Sequence, residues 1–154
     1  MRGYDISIEV TVDPAGADIG ALRVLAERVM RGEQVEDGTG LSVLITGDAP
    51  IRELNRQFLG VDEPTDVLSF PDEAADFVEA DGPPYLGDIA ISLETAKRQA
   101  ADLEHSLDAE LAHLLVHGIL HLCGYDHVDD AGEERRMRAR EEHYLGDLSA
   151  AHAS

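Results

Sequence analysis

The chain has 154 residues, a size typical of one domain and large enough to bury a hydrophobic core without disulfide bonds. The hydrophobic fraction of 44% excludes an intrinsically disordered chain, and the single cysteine, Cys123, excludes an intrachain disulfide and indicates a reducing compartment. Twelve basic against 32 acidic residues give a net charge of −20, which repels nucleic-acid phosphates unless a basic patch or a metal ion offsets it locally.

The first part of the chain predicts a strand, a helix and a second strand. Apolar and polar residues alternate from Tyr4 to Val12, which is the period of a strand with one buried face. Apolar residues then recur at helical spacing, with Asp18 as the predicted N-cap and Gly32 as the end of the helix. Leu41 to Thr46 predicts the second strand.

The middle of the chain predicts a helix, a short strand and a loop. Asp48 is the predicted N-cap of a helix that ends at Gly60. Val67 to Phe70 is a short apolar run that predicts a strand closed by a proline. Asp72 to Gly82 is acidic and weakly apolar, which predicts a mobile surface loop.

The last part of the chain predicts one more strand and three helices. The strand covers Ile89 to Ile91, and Ser92 is the predicted cap of the helix that follows it. Ser106 caps a second, apolar helix that runs to about Leu122. An amphipathic helix is predicted from Asp130 to Tyr144.

These elements predict an α/β (α+β) fold. It consists of one compact domain, residues 1–154, with a four-stranded mixed sheet, five helices and a frayed tail at 146–154. Histidines interrupt the longest apolar stretch, Leu111 to Gly124, so we expect no membrane span. The N-terminus lacks the cationic and apolar regions of a secretory signal. We therefore expect a cytoplasmic protein.

Three histidines near the end of the apolar helix predict a metal site. His117 and His121 are four residues apart, so their rings project from one helix face about 6 Å apart. Gly124 can end the helix in a left-handed conformation, and His127 then follows the turn and can reach the same ion. Three histidine ligands leave the fourth tetrahedral position open, which favours a catalytic over a structural zinc site.

Other residues near this stretch have alternative roles. For His113, packing or contact with a ligand is favoured over direct ligation, and Cys123 is predicted to be buried packing. Asp66 and Asp88 could orient a ligand histidine, although turn or cap chemistry is favoured for both. The spacing is also that of metzincin proteases, but Gly118 replaces their catalytic glutamate.

Four segments resemble the YbeY family of bacterial rRNA maturation factors and endoribonucleases. His117 to His127, HGILHLCGYDH, resembles the family signature H-G-x-L-H-L-x-G-Y-D-H. Pro64 to Pro71 (PTDVLSFP) and Leu86 to Ser92 (LGDIAIS) resemble two further family blocks, and Leu54-Asn55 fits the upstream helix. The resemblance extends over residues 40 to 145.

The resemblance implies a compact α/β fold with one zinc ion per chain, or nickel in its place, held by His117, His121 and His127. It implies a single-strand-specific endoribonuclease that hydrolyses RNA phosphodiester bonds in small-subunit rRNA maturation and ribosome quality control. The implied partners are the rRNA precursor, the small ribosomal subunit and its proteins or assembly factors. No DNA partner is expected.

One position departs from the family pattern. Many members carry an arginine where this chain has Leu59, and that arginine is a candidate for phosphate contact. Arg52, Arg56 and Arg98 are the alternative candidates here, and neither a general base nor an RNA-binding residue is assigned.

Two other functions stay open at this point. A zinc-stabilised ribosome assembly factor with little or no nuclease activity would agree with the acidic surface and with Leu59. A metallopeptidase-like hydrolase would agree with the histidine spacing but not with Gly118.

Overall fold

A computed structural model describes residues 3–71, 84–125 and 131–153 of the chain. The strands are β1 (Asp5–Val10), β2 (Gly40–Thr46), β3 (Val67–Pro71) and β4 (Tyr85–Ser92). The helices are α1 (Ile19–Gly32), α2 (Asp48–Leu59), α3 (Leu93–Asp102), α4 (Leu107–Leu122) and α5 (Ala131–Ala153). The predicted α/β domain with a mixed four-stranded sheet and five helices is confirmed. The predicted acidic loop, Asp72 to Gly82, lies outside the described residues.

The sheet has the strand order β1-β2-β4-β3. β1 pairs with β2 and β2 pairs with β4 in parallel, because helices carry the chain back between these strands. β3 pairs with β4 in the antiparallel sense, from Val67 opposite Ile91 to Pro71 opposite Gly87. β1 and β3 are thus the two edge strands of the described sheet.

The two faces of the sheet are covered unequally. The main core lies on one face, where alternate residues of the strands pack against α1, α3, α4 and α5. The most central helix is α4, which is buried along most of its length because its apolar residues contact both the sheet and the neighbouring helices. On the opposite face, a small core of Ile51, Leu68 and Ala90 lies under α2.

Three of the predicted helix caps are confirmed. The side chains of Asp18, Ser92 and Ser106 each accept a hydrogen bond from a backbone amide in the first turn of α1, α3 and α4. Gly60 has a φ of 73° at the end of α2, as its predicted role as a stop requires.

The predicted cap of α2 is wrong. Gly47 is the N-cap, and Asp48 is the first helical residue. Its carboxylate instead accepts hydrogen bonds from the hydroxyls of Ser92 and Thr95, which lie at the start of α3. The backbone amide of Asp48 donates to Glu94 at 2.8 Å. At the start of α2, the backbone amide of Asp48 is therefore bound by Glu94 of α3 and not by a side chain next to it in the chain.

The last helix is longer than its apolar periodicity predicts. α5 continues past Tyr144 to Ala153. Among the described residues, no helix is both long and apolar enough to span a membrane.

Candidate functional site

The histidines of α4 share one face of the helix, because they are spaced four residues apart. The ring centroids of His113 and His117 lie 6.3 Å apart, and those of His117 and His121 lie 4.6 Å apart. The Nε2 atoms of His117 and His121 are 3.1 Å apart, close enough to share one hydrogen or one metal ion. The helix therefore brings two of the three predicted ligands together.

This distance fits a shared zinc ion. Two nitrogens bound to one tetrahedral zinc at 2.0–2.1 Å lie about 3.3 Å apart, close to the separation of the two Nε2 atoms. Imidazole is also a ligand type that zinc and nickel prefer. His127 lies outside the described residues, and within residues 3–71, 84–125 and 131–145 no group of three metal-ligating side chains forms.

A carboxylate from α5 holds the other side of the His117 ring. Oε2 of Glu141 lies 2.6 Å from Nδ1 of His117, and Oε1 lies 3.6 Å from Nε2 of His113. Burial alone would raise the pKa of Glu141, but its interactions with His113 and His117 lower it to about 2. The same interaction with Glu141 raises the pKa of His113.

The charge state of Glu141 decides the tautomer of His117. A carboxylate can only accept a hydrogen bond, so Nδ1 of His117 donates to Glu141, and in the neutral imidazole the lone pair then lies on Nε2. That lone pair points towards His121, where the second ligand nitrogen lies. Such a carboxylate contact on the far nitrogen is common for histidines that bind metals.

No feature of the sequence pointed to Glu141, because it lies 24 residues beyond His117 and on another helix. The two aspartates considered for this role have turn and strand contacts instead. Asp66 accepts from the amide of Val67 at 2.7 Å, and Asp88 accepts from the hydroxyl of Tyr85. The contact of Asp66 agrees with the turn chemistry favoured for it, whereas Asp88 lies within β4 and makes no turn or cap contact of this kind.

The chain turns after α4 as predicted. Gly124 has a φ of 105°, and its amide donates to the carbonyl of His121 at 3.0 Å. The amide of Tyr125 donates to the carbonyl of Leu120 at 3.1 Å, which completes a Schellman motif. The described chain thus leaves α4 in a tight turn that ends at Tyr125.

Gly118 allows α4 to lie directly on the sheet. The hydroxyl of Ser69 in β3 donates to the carbonyl of Gly118 at 3.2 Å. A β-carbon at Gly118 would lie 3.1 Å from two side-chain carbons of Ile89 and 3.2 Å from Oγ of Ser69. Any side chain at this position would crowd the sheet, and with glycine here the general base of a metzincin is absent, so the peptidase alternative loses its mechanism.

The thiol beside the turn is not a ready metal ligand. Cys123 is partly buried, and desolvation raises the pKa of its thiol to about 11. It is protonated at neutral pH, whereas zinc binds the thiolate. The predicted packing role of Cys123 agrees with this burial.

The three arginines considered for phosphate contact are all on the surface, and each has an acidic partner. The pairs are Arg52 with Asp62, Arg56 with Glu53, and Arg98 with Asp48. All three guanidinium groups are more than half exposed, so solvent screens these pairs and a phosphate can compete for them.

Leu59 lies beside a groove between α2 and the open part of the sheet. The groove has a volume of about 650 Å³, and Leu59 itself is 62% exposed. Phe58 and Phe70 also line the groove, and their ring centroids lie 5.2 Å apart. Ser69 lines it as well, and its hydroxyl donates to the carbonyl of Gly118 in α4. The position where many YbeY proteins have an arginine is therefore open to solvent here.

Comparison with known proteins identifies the family. A family model described as endoribonuclease YbeY matches residues 14–149. Proteins named Endoribonuclease YbeY are 48% identical in Chloroflexus aurantiacus, over 90% of this chain and 93% of the relative, and 46% identical in Roseiflexus castenholzii, over 96% of each. A protein from Thermotoga maritima solved in solution is similar in structure, with a TM-score of 0.61 and 27% identity over 95% of this chain and 93% of that one. This chain therefore belongs to the endoribonuclease YbeY family.

Proposed function

We propose that this protein is a zinc-dependent, single-strand-specific endoribonuclease in small-subunit rRNA maturation and ribosome quality control. His117, His121 and His127 would hold the ion. The observation that carries the proposal is the 3.1 Å separation of the two Nε2 atoms, with Glu141 fixing the opposite side of the His117 ring. The name of the relatives supports the reaction class.

Glu141 and two surface arginines would have separate roles in this reaction. Glu141 would accept a hydrogen bond from Nδ1 of His117, so that the neutral ring presents the lone pair of Nε2 to the ion. A zinc ion held by these residues would supply Lewis acidity towards a phosphoryl oxygen, and nickel is the alternative metal. Arg52 and Arg56 are exposed enough to exchange their carboxylate partners for RNA phosphates.

We also propose where the protein acts. Its substrate would be a precursor of small-subunit rRNA, and its partners would be the small ribosomal subunit with its proteins or assembly factors. The net charge of −20 opposes tight binding to naked RNA, so docking on a ribosomal protein would supply part of the selectivity. We propose that it acts in the cytoplasm.

The proposal is tested by cleavage of a small-subunit rRNA precursor fragment, with zinc measured on the same sample. We expect wild type to cleave the fragment and to contain about one zinc ion per chain. We expect His121→Ala to contain no zinc and to cleave at least about a hundredfold more slowly. His143→Ala is the matched control, because His143 is an exposed histidine on α5. Equal cleavage by His121→Ala and wild type would contradict the proposal.

The second candidate is a zinc-stabilised assembly factor without nuclease activity. Leu59 favours it, since the family's candidate phosphate-binding arginine is missing from this exposed position. Full zinc occupancy without cleavage by either wild type or His143→Ala, together with binding to the small subunit, would favour this candidate.

A further inference from the structure

One row of side chains on the α2 face of the sheet lies beside that helix and not under it. Leu68 and Ala90 pack with Ile51 of α2 in the small core, so α2 covers the row to which they belong. The next row crosses all four strands and consists, in sheet order, of Ser7, Ser42, Asp88 and Phe70. This row and the side of α2 form the groove of about 650 Å³ beside Leu59, which we call the α2 groove.

The wall of the α2 groove is apolar and open to water. Phe58 is 63% exposed and Leu59 is 62% exposed, although both are large apolar side chains. Leu54 lies one turn before Phe58 on α2 and lines the same wall. Covering such side chains removes apolar surface from water, which favours association. The wall therefore suits an apolar side chain of a binding partner.

The floor of the α2 groove is acidic. Among the described residues that line the groove, the only acidic or basic side chains are Glu9 and Asp88, and both are exposed. Asp88 accepts a hydrogen bond from the hydroxyl of Tyr85, and neither carboxylate pairs with a cation in the described part of the chain. A cationic occupant would complement this floor, whereas the phosphates of RNA would meet two negative charges.

The strand register favours arginine as the cation. Asp88 of β4 lies directly opposite Phe70 of β3, so the two side chains are neighbours on the same face of the sheet. A guanidinium group that binds the carboxylate of Asp88 can also lie on the face of the Phe70 ring, because it is planar and weakly hydrated. The compact and strongly hydrated ammonium group of lysine is less suited to both contacts at once.

We propose that the α2 groove is a docking site for a segment of a protein partner in which an arginine lies next to a leucine or another large apolar residue. The arginine binds Asp88 over the ring of Phe70, and the apolar side chain packs against Phe58 and Leu59. A second copy of this chain is a poor occupant, because it would bring another net charge of −20 to the acidic floor. This inference goes beyond the proposed function and requires neither the metal ion nor RNA cleavage.

The test begins with the selection of peptides that bind the full-length protein from a random-sequence display library. The selected peptides are labelled, and their affinity is measured by fluorescence anisotropy for wild type, Asp88→Asn and Phe58→Ala. Asp102→Asn and Leu103→Ala are the matched controls, because both residues are exposed at the end of α3 and do not line the groove. Urea unfolding shows that each variant is folded, and labelled oligouridylate is the RNA probe.

We expect the selected peptides to be enriched in arginine beside large apolar residues. We expect Asp88→Asn and Phe58→Ala each to bind them about tenfold more weakly than wild type, and both controls to bind them as wild type does. His121→Ala should also keep wild-type affinity for the peptides, so a failure of the metal site would leave this inference standing.

Two results would overturn the inference directly. These are selected peptides without enrichment in arginine, and peptides that bind Asp88→Asn as tightly as wild type. Oligouridylate binding that weakens in Phe58→Ala, with no peptide selected, would assign the groove to RNA. Dimers of wild type that are lost in Phe58→Ala, again with no peptide selected, would assign it to a second copy of the chain.

Discussion

Gly118, which follows the predicted ligand His117, faces away from the candidate metal site. Successive helix residues point about 100° apart, so Gly118 meets the sheet while His117 faces Glu141. A protease with this histidine spacing uses the same position for its catalytic carboxylate. In this fold, position 118 cannot present a general base to the candidate metal site.

Gly118→Glu tests this packing argument. We expect a loss of about 3 kcal/mol or more in the free energy of unfolding, because the new side chain overpacks the contact with Ile89 and Ser69 and buries a charge. Gly20→Glu is the control, since Gly20 lies exposed in the first turn of α1, where a negative charge is favourable. Urea unfolding measures both, and equal stability of the two variants would contradict the packing argument.

Sequence reasoning could find the histidines of the site but not the carboxylate that orients them. His117 and His121 follow from a helical repeat of four, and the turn at Gly124 follows from a glycine after an apolar helix. Glu141 is one of several acidic residues in α5, and nothing in its neighbourhood distinguishes it from Glu142. Its role depends on how α5 packs against α4, which is a tertiary property.

The same limit appears at the level of whole helices. Caps that bind an amide three residues away were predictable, because donor and acceptor are adjacent in the chain. The contacts of the Asp48 side chain were not predictable, since its partners lie 44 to 50 residues away at the start of α3 and within it. Strand positions followed from period two and from apolar runs, whereas the order β1-β2-β4-β3 depends on packing between distant segments.

The contact between α2 and α3 makes stability depend on pH. Burial alone would raise the pKa of Asp48, but hydrogen bonds from Ser92, Thr95 and Arg98 lower it below its usual 3.8. The ionised carboxylate of Asp48 therefore contributes fully to the free energy of unfolding above its unfolded-state pKa. This contribution is lost as the pH falls through the lower pKa of the folded state.

Asp48→Asn isolates this contribution. We expect the variant to be about 1 kcal/mol less stable than wild type at pH 7, and the difference to shrink as the pH falls below 3.8. Unfolding by urea at a series of pH values gives the difference directly. A difference that grows on acidification would contradict the lowered pKa of Asp48.

At the scale of the whole molecule, charge opposes the proposed substrate. The chain has a net charge of −20. On α2, beside the groove, Arg52 and Arg56 already pair with carboxylates. Long-range repulsion of RNA is screened by salt, whereas a direct arginine–phosphate contact is weakened by it. The salt dependence of RNA binding therefore separates the effect of net charge from that of a local contact.

Leu59→Arg makes this separation measurable. We expect kcat/KM for the rRNA precursor fragment to rise about tenfold at low salt, and the plot of log affinity against log salt to become steeper by about 0.7, the value for one phosphate contact with single-stranded RNA. Val24→Arg is the control, because Val24 is as exposed as Leu59 and lies on α1, across the sheet from α2. Both variants change the net charge equally. An equal gain in the two would show that RNA responds to total charge, and position 59 would then have no specific part in binding phosphate.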